Sequence, residues 1–198
     1  MTLTIVARNP FTGTIGLAMA SGSDDCIGGS VVMPAADHAS HPAFLVVQGK
    51  GDKTLREEMA QRWHEHTDTQ NIWAHLAATG DALALRQVLA APFEGDWSVR
   101  TGALCTAWAG EIIEEHLMLA GNMLASEHVL PAMHRAYMSD LNAPMEQRLL
   151  SALEAGIAMG GDVRGHASAG ILLRGSRLLT ITAINTPEPL AELVKQSF

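Results

Sequence analysis

Thr2-Leu3-Thr4-Ile5-Val6-Ala7-Arg8 and Thr14-Ile15-Gly16-Leu17-Ala18-Met19-Ala20 flank Asn9-Pro10-Phe11-Thr12-Gly13. The first arm alternates polar and apolar residues, the period of a strand whose two faces meet different surroundings. Ile15, Leu17 and Met19 fall on one face of the second arm. The Pro and Gly between the arms supply a turn, so residues 2–20 predict an antiparallel hairpin.

Beyond the hairpin, residues 21–29 carry loop chemistry, rich in Ser, Gly and Asp. Ser30-Val31-Val32-Met33 and Ala43-Phe44-Leu45-Val46-Val47 read as short buried strands. Thr54-Leu55-Arg56-Glu57 has the form of a capping box, and Leu55, Met59 and Trp63 then recur along one helix face. A second helix is expected from Thr69, with Ile72 and Leu76 inward and Gly80 at its end. Residues 82–91 have helical propensity throughout. Strands are expected at 97–100, 103–107 and 111–118. Ser126 is placed to cap a helix carrying Val129, Leu130, Met133 and Tyr137. Asn142 and Pro144 suit the start of another, with Met145, Leu149, Leu153 and Ile157 inward, and Gly160-Gly161 stops it. Residues 168–173 and 178–184 read as a last pair of strands, and Pro187 opens a C-terminal helix. Strands and helices in separate runs mean an α+β fold, and no linker divides the chain, so residues 1–198 are expected to form one domain.

The 198 residues are 47% hydrophobic and 17% charged, with a formal net charge of −8. So low a charged fraction argues against disorder. The acidic balance, without a basic run, argues against nucleic acid as a partner. No apolar stretch reaches the roughly 18 uninterrupted residues of a membrane span. The strand-like N-terminus lacks the pattern of a signal peptide, which predicts a cytoplasmic protein. Cys26 and Cys105 suit reduced thiols serving as small core residues.

Several motifs fail. Gln48-Gly49-Lys50-Gly51-Asp52-Lys53-Thr54 lacks the spacing of a phosphate loop. No G-x-S-x-G, H-E-x-x-H or C-x-x-C occurs. His38, His41, His64 and His66 lie in two short clusters that read as polar loop and helix end, with metal binding as the weaker alternative. Neither a metal nor a cofactor is expected.

Thr2 is different. Removing Met1, as is usual before a small side chain, leaves a threonine whose hydroxyl can attack a carbonyl while its own α-amine, with an ordinary pKa near 8, takes the proton. Such a nucleophile needs no histidine partner, only preorganised donors for the oxyanion.

Further blocks accompany it. Gly16-Leu17-Ala18-Met19-Ala20-Ser21 follows the opening strand. Then come Arg86-Gln87-Val88, Thr101-Gly102-Ala103-Leu104-Cys105 with Trp108-Ala109-Gly110, and Gly121-Asn122-Met123-Leu124-Ala125. Arg148-Leu149-Leu150-Ser151-Ala152-Leu153-Glu154-Ala155-Gly156 leads to Gly160-Gly161-Asp162-Val163-Arg164-Gly165 and Ser168-Ala169. In this order, over residues 2–175, they resemble a bacterial domain-of-unknown-function family with the N-terminal nucleophile (Ntn) hydrolase fold. The resemblance implies a four-layer αββα sandwich of two antiparallel sheets, and a strand rather than a helix at residues 86–91.

It also implies candidate site residues. Thr2 takes the place of the nucleophile, and Asn122 that of an oxyanion donor or a turn asparagine. Asp162 and Arg164 position the amine, or bind a substrate carboxylate, or form an ion pair that fixes the turn. Ser21, at the end of the second strand, is a candidate partner for the Thr2 amine. The chain departs from the family in having Gly22 where Lys is usual and Ala120 where Gln is usual. Two readings stay open: an amidohydrolase acting on a small amide, or a non-catalytic relative that binds a small molecule or a protein. A homodimer is expected.

Overall fold

Residues 2–33, 42–65, 68–78, 83–175 and 178–197 are described in the computed structural model. The opening residues form the predicted hairpin. β1 (Thr2–Arg8) pairs antiparallel with β2 (Ile15–Ser21), from Thr2 opposite Ser21 to Arg8 opposite Ile15. Asn9 Oδ1 accepts the N–H groups of Phe11 and Thr12, and Gly13 closes the turn at φ +67°, where a side chain would be strained.

This hairpin is the middle of a six-stranded antiparallel sheet. β8 (Leu117–Asn122) and β7 (Gly110–Ile113) lie on one side, and β9 (Ser168–Arg174) and β10 (Leu179–Ile184) on the other, in the order β10-β9-β2-β1-β8-β7. A second antiparallel sheet has the order β3-β4-β5-β6: β3 (Val31–Val32), β4 (Ala43–Gly49), β5 (Arg86–Pro92) and β6 (Ser98–Thr101).

Side chains sort by strand parity into three apolar layers. Val6, Ile15, Leu17 and Met19 of the first sheet meet Phe44, Val46, Leu89 and Val99 of the second. Leu3, Ile5 and Ala7, on the opposite parity of β1, pack beneath α4 (Val129–Met138), α5 (Met145–Ala158) and α6 (Pro189–Ser197). Leu45, Val47 and Val88 pack beneath α2 (Lys53–Glu65) and α3 (Thr69–Ala78). The result is helix, sheet, sheet, helix: the αββα sandwich. α5 sits close on its sheet because Gly156 has no side chain; a Cβ there would lie 2.7 Å from Met133 and 2.8 Å from Leu3.

Residues 86–92 are a central strand despite their helical propensity, because pairing with β4 and β6 outweighs local preference. Other expectations need correction. Residues 26–30 form a short helix, α1 (Cys26–Ser30), capped by Asp25 Oδ1 on the Gly28 N–H at 2.8 Å, which shortens the following strand to two residues. α2 starts at Lys53, and Asp52, not Thr54, caps it by accepting the Leu55 N–H at 3.0 Å. Residues 103–107 are a loop, its turns closed by backbone bonds such as Cys105 N–H to Gly102 O. The single strand expected at 111–118 is two, β7 and β8, turned where the Glu114 N–H meets Leu117 O at 2.8 Å. Ser126 stands ahead of α4 and accepts the His128 N–H rather than capping the helix. The last helix begins at Pro189, two residues after Pro187.

Gly80, His38, His41 and His66 lie outside the described residues. Among those described, no three His, Cys, Asp or Glu side chains cluster to hold a metal, and no helix is long and apolar enough to cross a membrane.

Candidate functional site

One end of the six-stranded sheet carries a polar row. Thr2 is in register with Ser21 on one side and Asn122 on the other, and Ser21 is in register with Ser168. The row therefore runs Ser168, Ser21, Thr2, Asn122 across β9, β2, β1 and β8. Period-2 alternation places all four on the face turned toward the second sheet, with Val6, Met19, Met118 and Leu172 of the same strands. Four polar residues at the rim of an apolar layer need partners, since an unpaired buried polar group costs about 1–3 kcal/mol.

Most of those partners are present. The Thr2 hydroxyl donates to Ser21 Oγ at 3.2 Å, and Ser21 Oγ lies 2.8 Å from Ser23 Oγ. Ser168 Oγ donates to Ser23 O and accepts the Cys26 N–H, which fixes the loop leaving β2. Asn122 is 1% exposed, and its Nδ2 donates to Gln87 Oε1 at 3.3 Å across the sheet interface. Asn122 Oδ1 has no partner among the described residues.

Behind the row, polar side chains link the two sheets. Thr4 Oγ1 donates to Gln48 Oε1, and Gln48 Nε2 donates to Gln87 Oε1, both at 2.6 Å. Gln87 Nε2 donates to Thr101 Oγ1 and to Gly110 O, and Thr101 in turn bonds Glu111. Gln87 thereby sets the plane of the Asn122 amide. Sequence reading assigned no role to Gln48, Gln87, Thr4 or Ser168; the available signal was a polar residue within an otherwise apolar strand.

Asp162 and Arg164 join the same end of the sheet through the turn that leaves α5. Gly160 and Gly161, at φ +99° and +50°, close the helix: Gly161 N–H bonds Gly156 O, and Gly160 N–H bonds Ile157 O. The turn is held against the loop after β8 by the bonds Ala125 N–H to Gly161 O and Val163 N–H to Met123 O. Asp162, its side chain fully buried, accepts the Gly22 N–H on Oδ2 and the Arg164 N–H on Oδ1, each at 2.9 Å. It also receives the Arg164 guanidinium, with Nη2 at 3.2 Å from Oδ2 and Nε at 3.4 Å from Oδ1. The ion pair that fixes the turn is thus present, with Arg164 at its half-exposed end.

The turn also accounts for Gly22. A Cβ there would lie 3.0 Å from Gly165 O, 3.1 Å from Asp162 Oδ2 and 3.2 Å from Arg164 Cβ. His166 completes the corner by accepting the Asp162 N–H on Nε2 at 3.2 Å. Burial lowers its pKa against the opposing pull of Asp162.

A cleft of about 400 Å³ opens beside the row, lined by Lys50, Leu85, Leu104, Cys105, Asn122, Met123 and Arg164, among others. Thr2 stands at register distance behind Asn122 and is itself 2% exposed. Cys105, expected to be a core residue, is half-buried at this cleft, and burial raises its thiol pKa, so it is protonated at neutral pH. A second cleft of about 440 Å³ lies at the far end of β1, around Arg8, Phe11, Tyr137 and Arg148, and contains none of the predicted site residues.

A crystal structure of a protein from Silicibacter pomeroyi, assigned to the DUF1028 family model, superposes with a TM-score of 0.82 at 26% identity, covering 99% of this chain and 87% of that one. Anbu (ancestral beta-subunit) from Yersinia bercovieri matches at a TM-score of 0.45 and 13% identity, covering 98% of this chain and 92% of that one. No curated protein matches the chain. The model of a family of unknown function, DUF1028, matches residues 2–193, and the chain belongs to that family.

Proposed function

We propose that the protein is an Ntn-type amidohydrolase of a small amide, with Thr2 as its nucleophile once Met1 is removed. The supporting observation is the in-register row of Thr2, Ser21 and Asn122, whose end residue Asn122 lines a cleft. Thr2 Oγ attacks the amide carbonyl carbon, and the hydroxyl proton passes to the Thr2 α-amine. The C–N bond breaks, the proton leaves with the departing amine, and an ester on Thr2 remains. Water then attacks that ester by the same route, releasing the acid and restoring the hydroxyl.

Ser21 Oγ holds the Thr2 hydroxyl in place before attack. The second N–H of Asn122 Nδ2, the first being spent on Gln87, is the oxyanion donor. Asn122 Oδ1 is the acceptor for the α-ammonium that forms when the amine takes the proton. Asp162, braced by Arg164, is a positioning residue that holds Gly22 just beyond the end of β2.

The test has two steps. Intact mass of the native protein is expected to show Met1 absent, and an electrophilic β-lactone is expected to label Thr2 stoichiometrically. Met1 retained, or no labelling with Met1 absent, sinks the reading and favours a non-catalytic binder.

A further inference from the structure

Lys50, just after β4, and Arg164, in the turn between α5 and β9, both line the candidate cleft. Lys50 follows Gly49 at the end of β4, where φ +90° and a Cβ only 2.8 Å from Leu85 O admit glycine alone. Its backbone N–H is pinned to Leu85 O at 3.1 Å. Arg164 sits in the turn between α5 and β9, its guanidinium plane fixed by two contacts to Asp162. The carboxylate of that pair is fully buried while the Arg164 side chain is 42% exposed, so the cationic end is the one presented to the cleft.

No Asp or Glu lines the cleft among the described residues, although acidic residues outnumber basic ones 21 to 13 in the chain. Asp162, which pairs with Arg164, is buried behind it and does not line the cleft, so Lys50 and the outer edge of Arg164 give the cleft a net positive charge that attracts an anion and repels a cation. The remaining wall is largely apolar, formed by Leu85, Leu104 and Met123, and the volume lies toward the small end for ligand sites.

We infer that the substrate is a small carboxylate-bearing amide, its carboxylate seated between Lys50 and Arg164 and its apolar portion against Leu85, Leu104 and Met123. This deepens the amidohydrolase reading and rests on it for the bond that is cleaved; the carboxylate seat does not depend on Thr2 being reactive.

The test is equilibrium binding to the Thr2→Ala protein, so that turnover plays no part. The probes are a panel of N-acetyl amino acids with apolar side chains, each paired with its uncharged methylamide, together with inorganic phosphate. Acids are expected to bind at millimolar concentration or below and to outbind their methylamides by about tenfold to a hundredfold, the range set by charge-assisted hydrogen bonds. Lys50→Gln and Arg164→Gln are each expected to reduce that preference, and Lys195→Gln on α6 to leave it unchanged. Arg164→Lys keeps the charge where the glutamine variant fails to fold.

Acids and methylamides binding alike, no acid binding, or full preference in Lys50→Gln overturns the inference. Phosphate binding in place of every acid overturns the carboxylate. Acid-selective binding beside an unreactive Thr2 overturns hydrolysis alone. Labelled Thr2 without acid selectivity overturns the carboxylate seat alone.

Discussion

Asp162 Oδ2 accepts the Gly22 N–H at 2.9 Å, joining residues 140 positions apart. One buried carboxylate thereby ties the end of β2 to the turn before β9, and the same carboxylate holds Arg164. Asp162→Ala leaves two N–H groups and a guanidinium without their acceptor. We expect a loss of about 2–3 kcal/mol in urea unfolding, with a smaller loss for Asp162→Asn, which keeps an acceptor oxygen. Equal stability of wild type and Asp162→Ala would show that water replaces the carboxylate at no cost.

Gln87 makes four side-chain hydrogen bonds, two within its own sheet, to Gln48 and Thr101, and two across to the other, to Gly110 O and Asn122. Gln87→Leu strands its partners and is expected to cost about 2–3 kcal/mol. Adding Gln48→Leu removes one stranded donor, so the double variant is expected to lose less than the sum of the singles. A double-mutant cycle by chemical denaturation reads this directly, and strict additivity would contradict the network.

His166 has a lowered pKa, chiefly because burial disfavours its charged form, with Asp162 pulling the other way. In the unfolded chain its pKa is near the ordinary 6.5. Between the two values the unfolded state binds more protons, so the stability contributed by neutral His166 is whole above about pH 6.5 and falls away as the pH drops below it. Protonation also removes the acceptor of the Asp162 N–H. Denaturation at about pH 7.5 and about pH 5 is expected to show a larger acid loss in wild type than in His166→Gln, which retains an acceptor and does not titrate.

The two cysteines should separate cleanly. Burial pushes the Cys26 thiol up to about 11, and the side chain is 1% exposed, whereas Cys105 is half-buried at the cleft. Iodoacetamide at about pH 8 is expected to modify Cys105 first, with Cys26 reacting only on unfolding. Peptide mass mapping gives the order. Protection of Cys105 by a bound acid would locate that ligand in the cleft.

Gly156 lets α5 approach β1. Gly156→Val places methyl groups where Met133 and Leu3 already lie, and overpacking of this kind is expected to cost about 1–3 kcal/mol in thermal or urea unfolding. Gly51→Ala, at a site with open space around the added Cβ, serves as the control and is expected to be near neutral.

The N-terminal hairpin was legible in the sequence because alternation over Thr2–Arg8 states which side chains share a face, and the Pro and Gly of residues 10–13 state where the chain turns. The same period put Thr2 on a strand and Ser21 at the end of the next, whereas Asn122, beyond the strand expected at 111–118, was legible only as a turn asparagine or an oxyanion donor and belongs to β8. Local chemistry could not choose at residues 86–91, whose propensity is helical; pairing with β4 and β6 decided it. Nor could it find the caps at Asp25 and Asp52, which depend on loop geometry as much as residue type. The convergence of Gly22 with Asp162, Asn122 with Gln87, and Lys50 with Arg164 on one cleft was set by tertiary structure alone. Periodicity encodes the face a side chain occupies, while the partner it meets there is fixed by how sheets and turns far apart in the chain pack together.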